Sequence, residues 1–127
     1  KYNLNNHVKI LGPLKSGIEV FEFLDKLDIY LHPSLTEGLP RALIEAMSRG
    51  CPALASSAGG IPELLNDKYL HQPGDYKELS KQIKNYSIEK EKLLLMADEN
   101  FTKAKEYTKL ILDSRRSEFL KNFRDSI

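Results

Sequence analysis

The sequence predicts an α/β fold, a parallel sheet flanked by helices with a helical C-terminal tail. Two observations predict it. From Val8 to Asp75 short apolar runs alternate with amphipathic stretches, the pattern of strands and helices in a parallel sheet. Beyond Asp75 the strand-like runs stop and only helical periodicity remains. A chain of 127 residues, 41% apolar and 29% charged, has ordinary globular composition for roughly one domain. The expected organisation is an α/β segment over residues 1–75, lacking its leading strands, and C-terminal helices of the same domain over 76–127.

The first expected strand is Val8 to Leu11, stopped by Gly12-Pro13. A helix follows from about Ile18 to Lys26, with Val20, Phe21, Leu24 and Leu27 at helical spacing. Asp28 to His32 reads as a second strand, ended by Pro33-Ser34. After a loop through Leu39, Pro40 is expected at the first helical position, where its missing N–H costs nothing. That helix runs to about Arg49 and stops at Gly50. Pro52 to Ala55 is a short, small-residued third strand, and a turn over Ser56 to Gly60 opens a brief helix at Pro62 to Asn66. Tyr69 to His71 is a weak fourth strand. One helix is expected over Tyr76 to Tyr86 and a longer one over Ile88 to Tyr107, striped by Leu93, Met96, Phe101, Ala104 and Tyr107. The last carries Leu112, Phe119, Leu120 and Phe123, a stripe that either completes the core or is left without a partner.

Charge excludes some functions. Nineteen basic and 18 acidic residues leave a net charge of +1, which gives no general attraction for nucleic acid. Residues 1–76 sum to −2 and residues 77–127 to +3, a bias that reads first as a solvated helical face and second as a contact for an anionic membrane surface. Purely apolar runs reach only four or five residues, such as Leu93 to Ala97, far short of the roughly 20 that span a bilayer. The lone Cys51 excludes an internal disulfide and reads as a small buried hydrophobe in a reducing compartment. No Asp-x-Asp or His/Cys cluster suggests a metal.

The informative stretch is Ser34-Leu-Thr-Glu-Gly-Leu-Pro-Arg-Ala-Leu-Ile-Glu-Ala-Met47, then Arg49-Gly50-Cys51-Pro52. It places Glu37 in the loop before a helix and Glu45 inside that helix. Between them lies the helix N-terminus, whose free N–H groups and positive dipole end suit phosphate. Gly38 removes the side chain where a ligand must approach the backbone closely. A carboxylate is a poor phosphate ligand but accepts well from paired sugar hydroxyls. An order of acid, phosphate-binding turn, acid therefore suits a molecule built as sugar, diphosphate and ribose. A second small-residue turn, Ala58-Gly59-Gly60-Ile61-Pro62-Glu63, follows the next strand. In an open α/β sheet both turns lie at the carboxyl ends of neighbouring strands, where ligands bind.

Glu37 and Glu45 stand in E-x7-E spacing within P-S-x-x-E-G-x-P, E-A-M-x-x-G and G-G-x-P-E. This order of elements, over about residues 8–80, resembles the retaining glycosyltransferases of GT-B fold, family 4. The resemblance implies a partial Rossmann-like sheet, the C-terminal domain of that fold, with a nucleotide-diphosphate sugar as donor substrate and no obligatory metal or other cofactor. It implies that Glu37 holds donor-sugar hydroxyls and stabilises the reacting centre by charge and position, while Glu45 accepts from the ribose diol. Backbone amides around Gly38, Leu39, Arg41 and Ala42 would bracket sugar and distal phosphate, with Pro40 limiting that cradle. Gly12 and Leu14 match the region against the nucleotide base. Gly59, Gly60 and Glu63 are further candidates, Glu63 equally a residue that steadies its own short helix.

The resemblance also implies what this chain does not contain. In the family the acceptor, a glycan or glycolipid, binds through an N-terminal domain, and a basic pair for the diphosphate lies upstream of Val8. The chain is therefore expected to be a fragment that is inactive alone, that self-associates through uncovered sheet edge and helix, and that belongs to a cytoplasmic enzyme of polysaccharide or glycolipid biosynthesis reaching the inner face of the membrane. The alternative is a non-catalytic flavodoxin-like phosphate-binding or interaction module. Simpler readings accompany the site: an ion pair of Glu45 with Arg41 or Arg49 one turn away, and a His32 that, lacking a second histidine, is packed or hydrogen-bonded.

Overall fold

The computed structural model describes residues 3–127, so residues 1 and 2 of the expected 1–75 segment lie outside the described residues. Its sheet has three parallel strands in the order β1 (Tyr30–His32), β2 (Ala53–Ser56), β3 (Leu70–His71). The register sets His32 beside Ala55 and Ser56 beside His71, so the loops leaving β1, β2 and β3 emerge at one edge. β2 is buried along its whole length and carries small residues at all positions but Leu54, which lets helices approach both faces.

Alternation along β2 divides the core. Ala53 and Ala55 cluster with Leu43 and Met47 of α2 (Arg41–Ser48), with Ile61, Leu64 and Leu65, and with Ala104. Leu54 clusters instead with Tyr69 and with Met96 of α4 (Lys90–Ala104), against Leu79 and Ile83 of α3 (Tyr76–Ser87). Leu24 of α1 (Ile18–Leu24) packs with Ala46 and Cys51. Two further contacts fasten the entry to β2: Asn100 donates to the Cys51 carbonyl at 3.1 Å, and the Ala53 amide donates to Met96 Sδ at 3.1 Å.

The termini of α2 explain how the loop before it and the strand after it are aimed. At its C-terminus Gly50, at φ 68°, donates to Met47 and Cys51 donates to Ala46, a Schellman pair that turns the chain straight toward β2. Arg49 then reaches back to Asp25 with two hydrogen bonds of 2.7 and 2.6 Å, tying α1 to α2. At its N-terminus Pro40 is the N-cap, with ψ of 113°, and the helix begins at Arg41. Pro40 is therefore one position earlier than expected. Its missing N–H falls outside the first helical turn, so the amides of Arg41, Ala42 and Leu43 remain available there.

Several expectations are corrected. Val8 to Leu11 forms no strand: the segment has no partner in the sheet, and Ile10 is 93% exposed. An apolar run becomes a strand only when another strand offers its hydrogen-bonding edge. The helix expected at Pro62 to Asn66 is replaced by two 3-10 turns, Ile61–Glu63 and Asp67–Tyr69. The long helix expected from Ile88 to Tyr107 is α4 followed by a 3-10 turn at Lys105–Tyr107. The last helix, α5 (Lys109–Asp125), has no buried residue, and Phe119, Leu120 and Phe123 are 59–69% exposed. Its stripe does not complete this core. Among the described residues no helix is long and apolar enough to cross a membrane.

Candidate functional site

The loop between β1 and α2 is held from below and from the side. From below, the fully buried Ser56 hydroxyl at the end of β2 donates to the Ser34 carbonyl at 2.5 Å. From the side, the Gly60 amide donates to the Gly38 carbonyl at 2.7 Å. The approach is so close that a Cβ at Gly59 would overlap the Glu37 carbonyl, and one at Gly60 would stand 2.9 Å from the Gly38 oxygen. Gly59 also has φ of 53°, in the left-handed region that favours glycine. Gly59 and Gly60 thus serve as the surface on which the Glu37 loop rests.

On that support Glu37 is oriented by two donors. Ser34 Oγ and His32 Nε2 each lie 2.8 Å from Oε1 of Glu37. These bonds, that of Ser34 first and that of His32 second, hold the Glu37 carboxyl below its ordinary pKa, and the Gly38 amide lies near enough to add a weaker pull. Beneath the imidazole, the Tyr30 hydroxyl lies 3.3 Å from Nδ1 of His32. Burial raises the Tyr30 pKa, and the charges of Glu45 and Glu37 raise it further, so this hydroxyl keeps its proton. A Tyr30 O–H that donates to Nδ1 assigns the proton of neutral His32 to Nε2, the nitrogen facing Glu37.

Glu45 is held differently. It is exposed on α2, whose neighbours Leu43, Ala46 and Met47 are fully buried. Among the described residues its carboxylate makes no hydrogen bond or ion pair. The pairing with Arg49 expected at helical spacing does not form, because Asp25 takes that guanidinium at 2.6 Å and Phe21 lies under it at 5.4 Å.

The remaining candidates make no side-chain bond to this centre. Arg41 and Ala42 begin α2 and are exposed, with no side chain capping the helix start. Gly38 and Leu39 are exposed in the loop. Gly12 and Leu14 lie on the exposed segment before α1 and make no hydrogen bond to the Glu37 loop. Glu63 lines a separate concavity of about 460 Å³ with Asn66, Tyr69, Glu99 and Lys103. Cys51 is buried, and burial pushes its thiol up to about 11, so it is no nucleophile at neutral pH. Tyr30 and Ser56 escaped sequence reasoning, and Ser34 entered only as part of the P-S-x-x-E-G-x-P pattern, with no role of its own. The one available signal was the i, i+2 spacing of Tyr30 and His32, which puts both on one face of a strand.

An oriented, ionised acceptor beside an uncapped helix N-terminus can take a hydroxyl-bearing group and an anionic group side by side. The family model described as glycosyl transferases group 1 matches residues 1–110. Protein CapJ of Staphylococcus aureus is 40% identical over 91 residues, 72% of this chain and 23% of that protein. Amylovoran biosynthesis glycosyltransferase AmsK of Erwinia amylovora is 40% identical over 87 residues, 61% of this chain and 21% of that protein. The chain thus spans less than a quarter of the length of these curated relatives. Among solved structures, Anabaena HepE in complex with UDP-glucose superposes with a TM-score of 0.84 at 27% identity, covering 94% of this chain and 33% of that one.

Proposed function

This chain belongs to the glycosyl transferases group 1 family, with the fold of the C-terminal domain of GT-B enzymes, and we propose that it binds the nucleotide-sugar donor of a retaining glycosyltransferase that passes the sugar to an acceptor hydroxyl. The observation that carries the proposal is the Glu37 carboxylate, held ionised by Ser34 and His32 one loop ahead of the open amides of α2. Glu37 accepts from hydroxyls of the donor sugar, and Glu45, with no competing partner, accepts from the ribose diol. The amides of Arg41 and Ala42 face the distal phosphate and meet the charge that grows on the diphosphate as the glycosidic bond breaks. In this reading Glu37 does positioning and electrostatic work, in which an ordered acceptor stabilises charge at the sugar.

The name of the AmsK relative supports a place in polysaccharide biosynthesis, with glycolipids as the neighbouring class of product. The acceptor would bind to chain beyond these residues, and the 127 residues do not catalyse transfer alone. Isothermal titration of the chain with UDP-glucose, and with a panel of other nucleotide sugars, tests the reading. The expected result is binding of at least one nucleotide sugar more tightly than its free nucleotide diphosphate. Equal affinity for the two would remove the sugar-holding role of Glu37.

A further inference from the structure

We infer that His32 is the positioning residue for Glu37: together with Ser34 it fixes one carboxylate oxygen and presents the other to a ligand hydroxyl. The inference rests on the donor-binding reading of Glu37. Both donors end on Oε1, each at 2.8 Å, and no hydrogen bond of good geometry reaches Oε2 from the described residues. A carboxylate whose two donors share one oxygen cannot turn about its last torsion without bending both bonds away from linearity. Oε2 then keeps one direction, with lone pairs available to a hydroxyl.

The imidazole is itself held. Its ring lies stacked on Tyr30, with centroids 5.9 Å apart and an interplanar angle of 21°, and its Nδ1 lies 3.3 Å from the Tyr30 hydroxyl. Tyr30 packs in turn on two core clusters, one that contains Leu43 and Met47 and the other Leu24 and Ala46. The His32 side chain is 14% exposed and that of Glu37 25%, so the ring is the more covered of the two and the carboxylate the more accessible. A line of contacts therefore runs from core through Tyr30 and His32 to the ligand-facing oxygen. A packed core histidine would not need this direction or this tautomer.

Two measurements test it. Long-range proton–nitrogen NMR correlation of the His32 ring in the intact chain is expected to show the neutral ring protonated on Nε2. A proton on Nδ1 instead would overturn the inference, because that tautomer has no N–H to give Glu37. Calorimetric titration with UDP-glucose then compares Glu37→Gln, His32→Leu and His32→Gln, each with its melting temperature. His32→Leu is expected to weaken binding about 10-fold or more, as for loss of a hydrogen bond to a charged group, and His32→Gln, whose amide N–H stands near the place of Nε2, to recover it to within about threefold. If Glu37→Gln weakens binding while His32→Leu leaves it unchanged, the positioning role fails and the donor-binding reading survives. If both His32 variants weaken binding equally at unchanged melting temperature, the hydrogen bond is not what matters and the inference fails. If Glu37→Gln binds UDP-glucose as the parent does, the donor-binding reading fails and takes the inference with it.

Discussion

Glu37 and Glu45 stand on adjoining stretches of chain that hold a carboxylate in opposite ways. Glu37 is in irregular loop, and its place depends on lateral partners: Ser56 under the backbone, Gly59 and Gly60 against it, Ser34 and His32 on the side chain. Glu45 is on α2, where the backbone ladder and the buried Leu43, Ala46 and Met47 fix its position and the side chain is left free. A loop residue becomes precise only through bonds to other parts of the molecule. A helix residue is placed by its own helix, and its carboxylate is left without a protein partner among the described residues. The first kind of site can be damaged from a distance, the second hardly at all.

The largest effect expected from this contrast is at Gly59. Gly59→Val puts a Cβ into the Glu37 carbonyl at a left-handed backbone position. We expect a loss of about 3 kcal/mol in urea denaturation together with loss of UDP-glucose binding. A variant as stable as the parent would mean that the two loops are not locked together. Next comes Glu37→Gln, which should weaken UDP-glucose binding by about 10- to 100-fold with little change in melting temperature, since a neutral amide replaces a charged acceptor. Glu45→Gln should cost less, about fivefold in binding and under about 0.5 kcal/mol in stability, because its carboxylate makes no hydrogen bond or ion pair among the described residues. An effect at Glu45 larger than at Glu37 would invert the comparison.

The smallest effect is the most specific, and it is read by pH. The Glu37 carboxyl is held below its ordinary value in the folded chain, so its bonds with Ser34 and His32 contribute stability that is fully present above the unfolded value. That contribution is lost as pH falls through the lowered folded value. Carbon-detected NMR titration should place the Glu37 midpoint below 4.5. Ser34→Ala should move it upward, because the largest lowering contact is removed. A midpoint indifferent to Ser34 would show that the side-chain bond does not hold the charge.

Much of this was legible in the chain itself. The alternation that announces a parallel sheet, the Gly50 stop and the seven-residue spacing of the glutamates all lie within short windows, and local pattern suffices for them. What was not legible depends on partners far along the chain. Val8 to Leu11 has the apolar run of a strand but no neighbour to pair with. The stripe on α5 has helical spacing but no surface of this domain against it. Ser34, His32 and Glu37 fall within six residues, yet their convergence needs a loop conformation imposed by Ser56 and Gly60, more than 20 residues downstream. Residues that build a site from neighbouring strands carry no periodic signal, because their proximity comes from the pairing of β1 with β2.

The contact between Gly59 and the Glu37 carbonyl has a consequence for inheritance. The atoms Gly59 meets are main-chain atoms of Glu37 and Gly38, so the Ser34–Leu39 loop and the Ala58–Gly60 turn fit as one surface only while position 59 carries no side chain. A hybrid gene that took the first from one relative and the second from another, with any side chain at position 59, would join two halves that do not close. Recombination between genes of this kind should therefore tolerate crossover points within residues 34–60 as long as glycine stands at position 59, and hybrid libraries should recover glycine there.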